Sequence, residues 1–61
     1  MEKRIIAMWA EGLVEGDSRV DWQQSEPIHG SDLARLVRTE DPEASDADLE
    51  AIAAAVTAKR A

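Results

Sequence analysis

The fold is decided by residues 45–61, which read SDADLEAIAAAVTAKRA. Apolar residues recur in this stretch in steps of three and four, the spacing that aligns side chains on one face of an α-helix. The intervening alanines raise helix propensity. Ser45 is a natural N-cap, and Asp48, at the third helical position, imitates the glutamate of a capping box. We therefore predict a helix over residues 45–60, with Lys59 and Arg60 suited to the negative end of its dipole.

The apolar stripe of this helix covers only two turns, and it has two possible uses. It can belong to the core of the monomer, or it can pair with its own copy as a short seam, although two turns are too few for a typical coiled coil. Both alternatives stay open from the sequence. The candidates for an apolar interface are this stripe and the two tryptophans: Trp9, Trp22, Leu49, Ile52 and Val56.

A second, shorter helix is predicted upstream, over residues 31–39. Ser31 is its natural N-cap, and Leu33, Leu36 and Val37 follow at helical spacing. Pro42 cannot continue the hydrogen-bond ladder, so the chain must break between the two helices.

The N-terminal stretch predicts a third helix, over residues 2–15. Its apolar residues fall within one broad helical stripe: Ile5, Ile6, Met8, Trp9 and Leu13. The alternative is a short strand over residues 4–10, supported by the two isoleucines and Trp9. Residues 17–30 are polar and aperiodic and are predicted to be an irregular connector. The expected fold is a single small all-α domain of three helices over residues 1–61, with an α+β fold carrying an N-terminal strand or hairpin as the alternative.

The net charge of −6 is concentrated in one segment. Between residues 40 and 50 there are six acids and no base, whereas the rest of the chain has seven of each. Acids near the start of a helix interact favourably with its dipole, which accounts for Asp46, Asp48 and Glu50. The surplus of Glu40, Asp41 and Glu43 favours a protein partner with a basic surface, steered by charge. The predicted acidic patch consists of Glu40, Asp41, Glu43, Asp46, Asp48 and Glu50.

The sequence offers little for catalysis or metal binding. His29 is the single histidine, and although Ser31 and Asp32 follow it, residues so close in sequence rarely reach triad geometry. Zinc is held by three or four Cys, His or carboxylate ligands, and this chain has no cysteine and a single imidazole. The alternating acids of residues 46–50 lack the glycine and the glutamate of a calcium loop. We expect no enzyme activity, no metal and no cofactor.

A chain of 61 residues buries only about 60% of the surface that its unfolded form exposes. The isolated monomer should therefore be marginally stable and should gain stability from its own copy or from a partner. The favoured function is a small acidic, non-enzymatic, cytoplasmic protein-binding module, such as a regulator, inhibitor or docking partner. The alternatives are a small oligomeric assembly subunit and a helical DNA-binding regulator, the latter disfavoured because Asp46 and Asp48 would face phosphates.

Overall fold

The computed structural model describes residues 1–15 and 32–60, which form three helices. They are α1 (Lys3–Val14), α2 (Asp32–Glu40) and α3 (Asp46–Arg60). Helix accounts for 82% of the described residues and no strand occurs among them, so the predicted all-α class is confirmed. The alternative strand over residues 4–10 is not supported, because that stretch lies inside α1. The predicted connector over residues 17–30 lies outside the described residues.

Helix α1 forms without a side-chain cap. Glu2 occupies the N-cap position, but only its backbone carbonyl is used, accepting from the N–H groups of Ile5 at 3.0 Å and Ile6 at 3.1 Å. Its first turn contains no acid and its last turn contains no base, so the helix dipole is not offset by charge. Amphipathic packing must therefore supply most of the stability of α1.

The corner between α2 and α3 is closed by short-range hydrogen bonds. The Asp41 N–H donates to the Val37 carbonyl at 2.8 Å, and the Ala44 N–H donates to the Asp41 carbonyl at 3.1 Å. Pro42 lies in the turn between them, as expected from its inability to continue the helix. The Arg38 side chain also stabilises the corner, because its Nε donates to the Ala44 carbonyl at 3.1 Å.

Helix α3 begins with the predicted capping box. The Asp48 N–H donates to Ser45 Oγ at 3.1 Å, and the Ser45 N–H donates to Asp48 Oδ2 at 3.0 Å. Two N–H groups that the helix itself leaves unpaired are thereby satisfied.

The core lies around α3, which packs along α1 and also contacts α2. Leu49, Ile52 and Val56 supply the centre of this core and are almost completely excluded from solvent. The other buried residues come from α1, α2 and the corner: Ala10, Leu13, Leu33, Ala34, Leu36, Val37 and Ala44. Within the described part of the chain, none of the helices has the length and apolar character needed to cross a membrane.

Candidate functional site

The six acids of the predicted patch separate into two groups in the structure. Asp48 belongs to the structural group, since its carboxylate accepts from the Ser45 N–H and also from the Met1 ammonium group, at 3.0 Å to Oδ1. The hydrogen bond from the Ser45 backbone, followed by that from the amino terminus, lowers the pKa of Asp48 below its ordinary 3.8. The contact with Met1 joins the start of α3 to the segment just before α1.

Two further acids of the patch have local partners. Asp46 Oδ1 accepts from the Arg38 guanidinium at 2.9 Å, across the α2–α3 corner. Asp41 Oδ1 accepts from the Glu43 N–H at 3.2 Å and so stabilises the turn that contains Pro42. Both carboxylates therefore help to shape the corner.

The remaining acids, Glu40, Glu43 and Glu50, are exposed, and their carboxylates have no polar partner among the described residues. We call these three residues the outer acids. They differ from the surplus expected from the sequence, in which Asp41 was counted and Glu50 was not. The difference arises because Asp41 is used by the turn, whereas Glu50 lies beyond the capping box and faces solvent.

The apolar candidates also separate. Leu49 and Ile52 are 0% exposed and Val56 is 2% exposed, so the stripe of α3 serves the monomer core, one of its two predicted uses. Trp9 is half-buried and packs against the edge of that core. Trp22 lies outside the described residues.

The broad apolar stripe of α1 points in two directions. Its inner part, which includes Ile6 and Leu13, packs toward the core. Its outer part faces solvent, with Ile5 39% exposed and Met8 65% exposed. Gly12 follows Met8 by one turn on the same side, and a Cβ built there would meet no atom within 4 Å. We call Ile5, Met8 and Gly12 the outer face of α1.

The outer face was missed as an interface candidate by sequence reasoning, although a signal for it exists. The apolar residues from Ile5 to Leu13 cover about 160° of the helix circumference at 100° per residue, more than the roughly 100° stripe that one packing contact needs. A stripe this broad leaves part of its apolar surface outside the contact with the core.

Charged residues flank the outer face on one side. Arg4, Glu11 and Glu15 fall within about 40° of one another around the axis of α1 at 100° per residue. Arg4 approaches Glu2 at 3.7 Å, but both side chains are largely exposed, so this ion pair contributes little to stability. The flank therefore offers a cation near the start of α1 and two acids near its end.

Residues 1–15 and 32–60 contain no group of three or more histidine, cysteine or acidic side chains that could hold a metal ion. His29 and Ser31, considered above for catalysis, lie outside the described residues.

Comparisons with known proteins supply no family for this chain. No family model matches it, and neither the curated proteins nor the solved structures contain a significant match.

Proposed function

We propose that this protein is a small non-enzymatic protein-binding module that docks an amphipathic helix on the outer face of α1. The observation that carries the proposal is the exposure of Met8 and Ile5, two large apolar side chains one turn apart on the same side of a helix. Burial of such side chains stabilises a complex by roughly 25 cal/mol per Å² of apolar area removed from water. Methionine also adapts its shape to different apolar partners.

The chemistry of the flank specifies the partner further. A helix lying on the outer face passes Glu11 and Glu15, so a partner with a basic residue beside its apolar strip forms opposite-charge pairs there. The net charge of −6 attracts basic surfaces at longer range, and the outer acids contribute to that attraction. The proposed partner is thus an apolar-faced helix with a basic edge. We place the interaction in the cytoplasm, with which the cysteine-free sequence is compatible.

DNA binding has no part in this proposal. The two arginines of α2 form ion pairs with acids, Arg35 with Asp32 and Arg38 with Asp46. Their charge is therefore balanced locally rather than offered to phosphates.

The test uses a displayed library of helical peptides selected on the intact chain. We expect enrichment of peptides with an apolar strip and a basic edge. A selected peptide should bind the Met8→Glu variant at least about tenfold more weakly, since a charge replaces the central apolar contact. Ala7→Glu is the matched control, because it adds the same charge to an exposed position of the same helix outside the outer face.

Two further results belong to this test. Binding should weaken with added salt, and it should weaken less steeply with salt when Glu40, Glu43 and Glu50 are all changed to glutamine. Selected peptides that bind wild type, Met8→Glu and Ala7→Glu equally would refute the proposal.

A further inference from the structure

We propose that the helix docked on the outer face is α1 of a second copy of this chain, running antiparallel to the first. This inference rests on the proposed function, because it names the occupant of the same face, with Arg4 of the second copy as the basic edge. The net charge of −6 on each copy opposes the pairing at long range, so its specificity comes from the local charges of α1. It is carried by three properties of α1: the spacing of its apolar residues, the arrangement of charge on its flank, and its length.

The spacing makes the outer face complementary to itself. Ile5 and Gly12 lie about 10 Å apart along the axis, at equal distances from a midpoint between Met8 and Trp9. A two-fold axis level with that midpoint places Ile5 opposite Gly12 of the second copy, and Met8 beside Met8 of the second copy, close to the axis. The open space above Gly12, with no atom within 4 Å of a Cβ built there, accommodates the isoleucine.

The charged flank favours the antiparallel direction. In an antiparallel pair related by a two-fold axis, residues on the same flank of the two helices meet. Arg4 then lies level with the interval between Glu11 and Glu15 of the second copy, and the same contact occurs twice by symmetry. A parallel pair would instead keep Arg4 at the opposite end from those two acids. Opposite charges at an interface fix its direction more than its strength.

The length of α1 sets the strength of the pairing. Twelve residues span about 18 Å, so one pair of such helices buries less than the roughly 1,200 Å² typical of stable interfaces. The dimer should therefore be weak and should dissociate on dilution. We expect the monomer and the dimer to be in equilibrium. Among the described residues, the proposed dimer contact involves α1.

The first test is sedimentation equilibrium of the intact chain from about 1 μM to about 1 mM, the range in which weak complexes dissociate. Wild type and Ala7→Glu should change from monomer to dimer across this range. Met8→Glu should shift the dissociation constant upward by at least about tenfold, with the same helical content by circular dichroism. A wild-type chain that stays monomeric throughout, or a dimer that Met8→Glu leaves intact, would overturn the inference.

The second test is a charge exchange that does not depend on the core. Arg4→Glu alone and the double variant Glu11→Arg with Glu15→Arg alone should each dimerise more weakly than wild type, because like charges then meet. An equimolar mixture of the two variants should form a heterodimer about as tightly as wild type, since both contacts regain opposite charges. A mixture no tighter than its components would exclude the antiparallel arrangement.

Failure of this inference can be told apart from failure of the proposed function. If the chain is monomeric but selected peptides bind wild type and not Met8→Glu, the outer face is a docking site for another protein and only the self-pairing is refuted. If neither peptides nor a second copy distinguish Met8→Glu from Ala7→Glu, both are refuted.

Discussion

Helices α1 and α3 begin in opposite ways, although they pack against each other. The start of α3 is specified locally, by reciprocal hydrogen bonds between Ser45 and Asp48 and by acids in its first turn. The start of α1 has Glu2 in the capping position with no side-chain bond, and no acid follows in the first turn. The start of α3 is therefore set by local contacts, whereas the start of α1 lacks them and depends on packing. Four changes test this difference.

The largest effect is expected in the core stripe of α3. Ile52→Ala removes a fully buried side chain and should lower the free energy of unfolding by about 2–5 kcal/mol. In a domain this small, such a loss leaves much of the population unfolded. The measurement is chemical denaturation followed by circular dichroism in dilute solution.

Ile5→Ala on α1 is the matched control for that change. The same atoms are removed from a side chain that is 39% exposed, so the loss should stay below about 1 kcal/mol. Equal losses for the two variants would contradict the division of the apolar residues into a core stripe and an outer face.

The second largest effect is expected at the helix caps. Ser45→Ala removes the hydroxyl that accepts from the Asp48 N–H and should cost about 0.5–2 kcal/mol of stability. Glu2→Ala, at the equivalent position of α1, should change stability by less than about 0.5 kcal/mol, because no side-chain cap is lost. The measurement is thermal unfolding of both variants beside wild type. A larger loss of stability for Glu2→Ala than for Ser45→Ala would contradict our assignment of a side-chain cap to α3 and not to α1.

A smaller effect of opposite sign is expected at Gly12. Alanine restricts the unfolded chain and favours helix, and nothing in the structure opposes its Cβ, so Gly12→Ala should stabilise the monomer by about 0.5–1 kcal/mol. The same change fills the space into which Ile5 of a second copy is proposed to fit. Unfolding in dilute solution and sedimentation at high concentration should therefore move in opposite directions, and a gain in both would argue against the proposed register.

The smallest effect concerns acid. Because contacts in the folded state lower the pKa of Asp48, the stabilisation from its charge is fully present above its ordinary pKa of 3.8. That stabilisation is lost as the pH falls through the lower folded value. The stability difference between wild type and Asp48→Asn should accordingly be constant from pH 7 to about pH 5 and shrink below about pH 4. A difference that grows on acidification would mean that the pKa is raised instead.

Local features of this fold could be predicted from the sequence, whereas contacts between distant segments could not. The capping box was predictable because Ser45 and Asp48 are three residues apart, within the reach of one helical turn. The pairing of Asp46 with Arg38 spans eight residues and that of Asp48 with Met1 spans 47, so their geometry depends on the completed fold. The outer acids could be identified only once these pairings, and the contact of Asp41 with the Glu43 N–H in the turn, were known.

The rotation of α1 about its own axis illustrates the same limit. Periodicity gives the angle of each residue around the helix axis, and it correctly placed Ile5, Met8 and Leu13 within one arc. It does not say which part of a broad arc meets α3. The packing of α1 against the core determines this, because Leu13 is buried there whereas Met8 is exposed to solvent.

The double contact of Arg38, with the Ala44 carbonyl and with Asp46, also bears on the order of folding. It joins residues only six and eight positions apart, so little chain entropy is lost when this loop closes. The contacts between α1 and α3 join residues more than 30 positions apart and require a much larger loop. We therefore expect the α2–α3 corner to form early and α1 to join it late. In native-state hydrogen exchange, the amides of α1 should then become labile before those of α3.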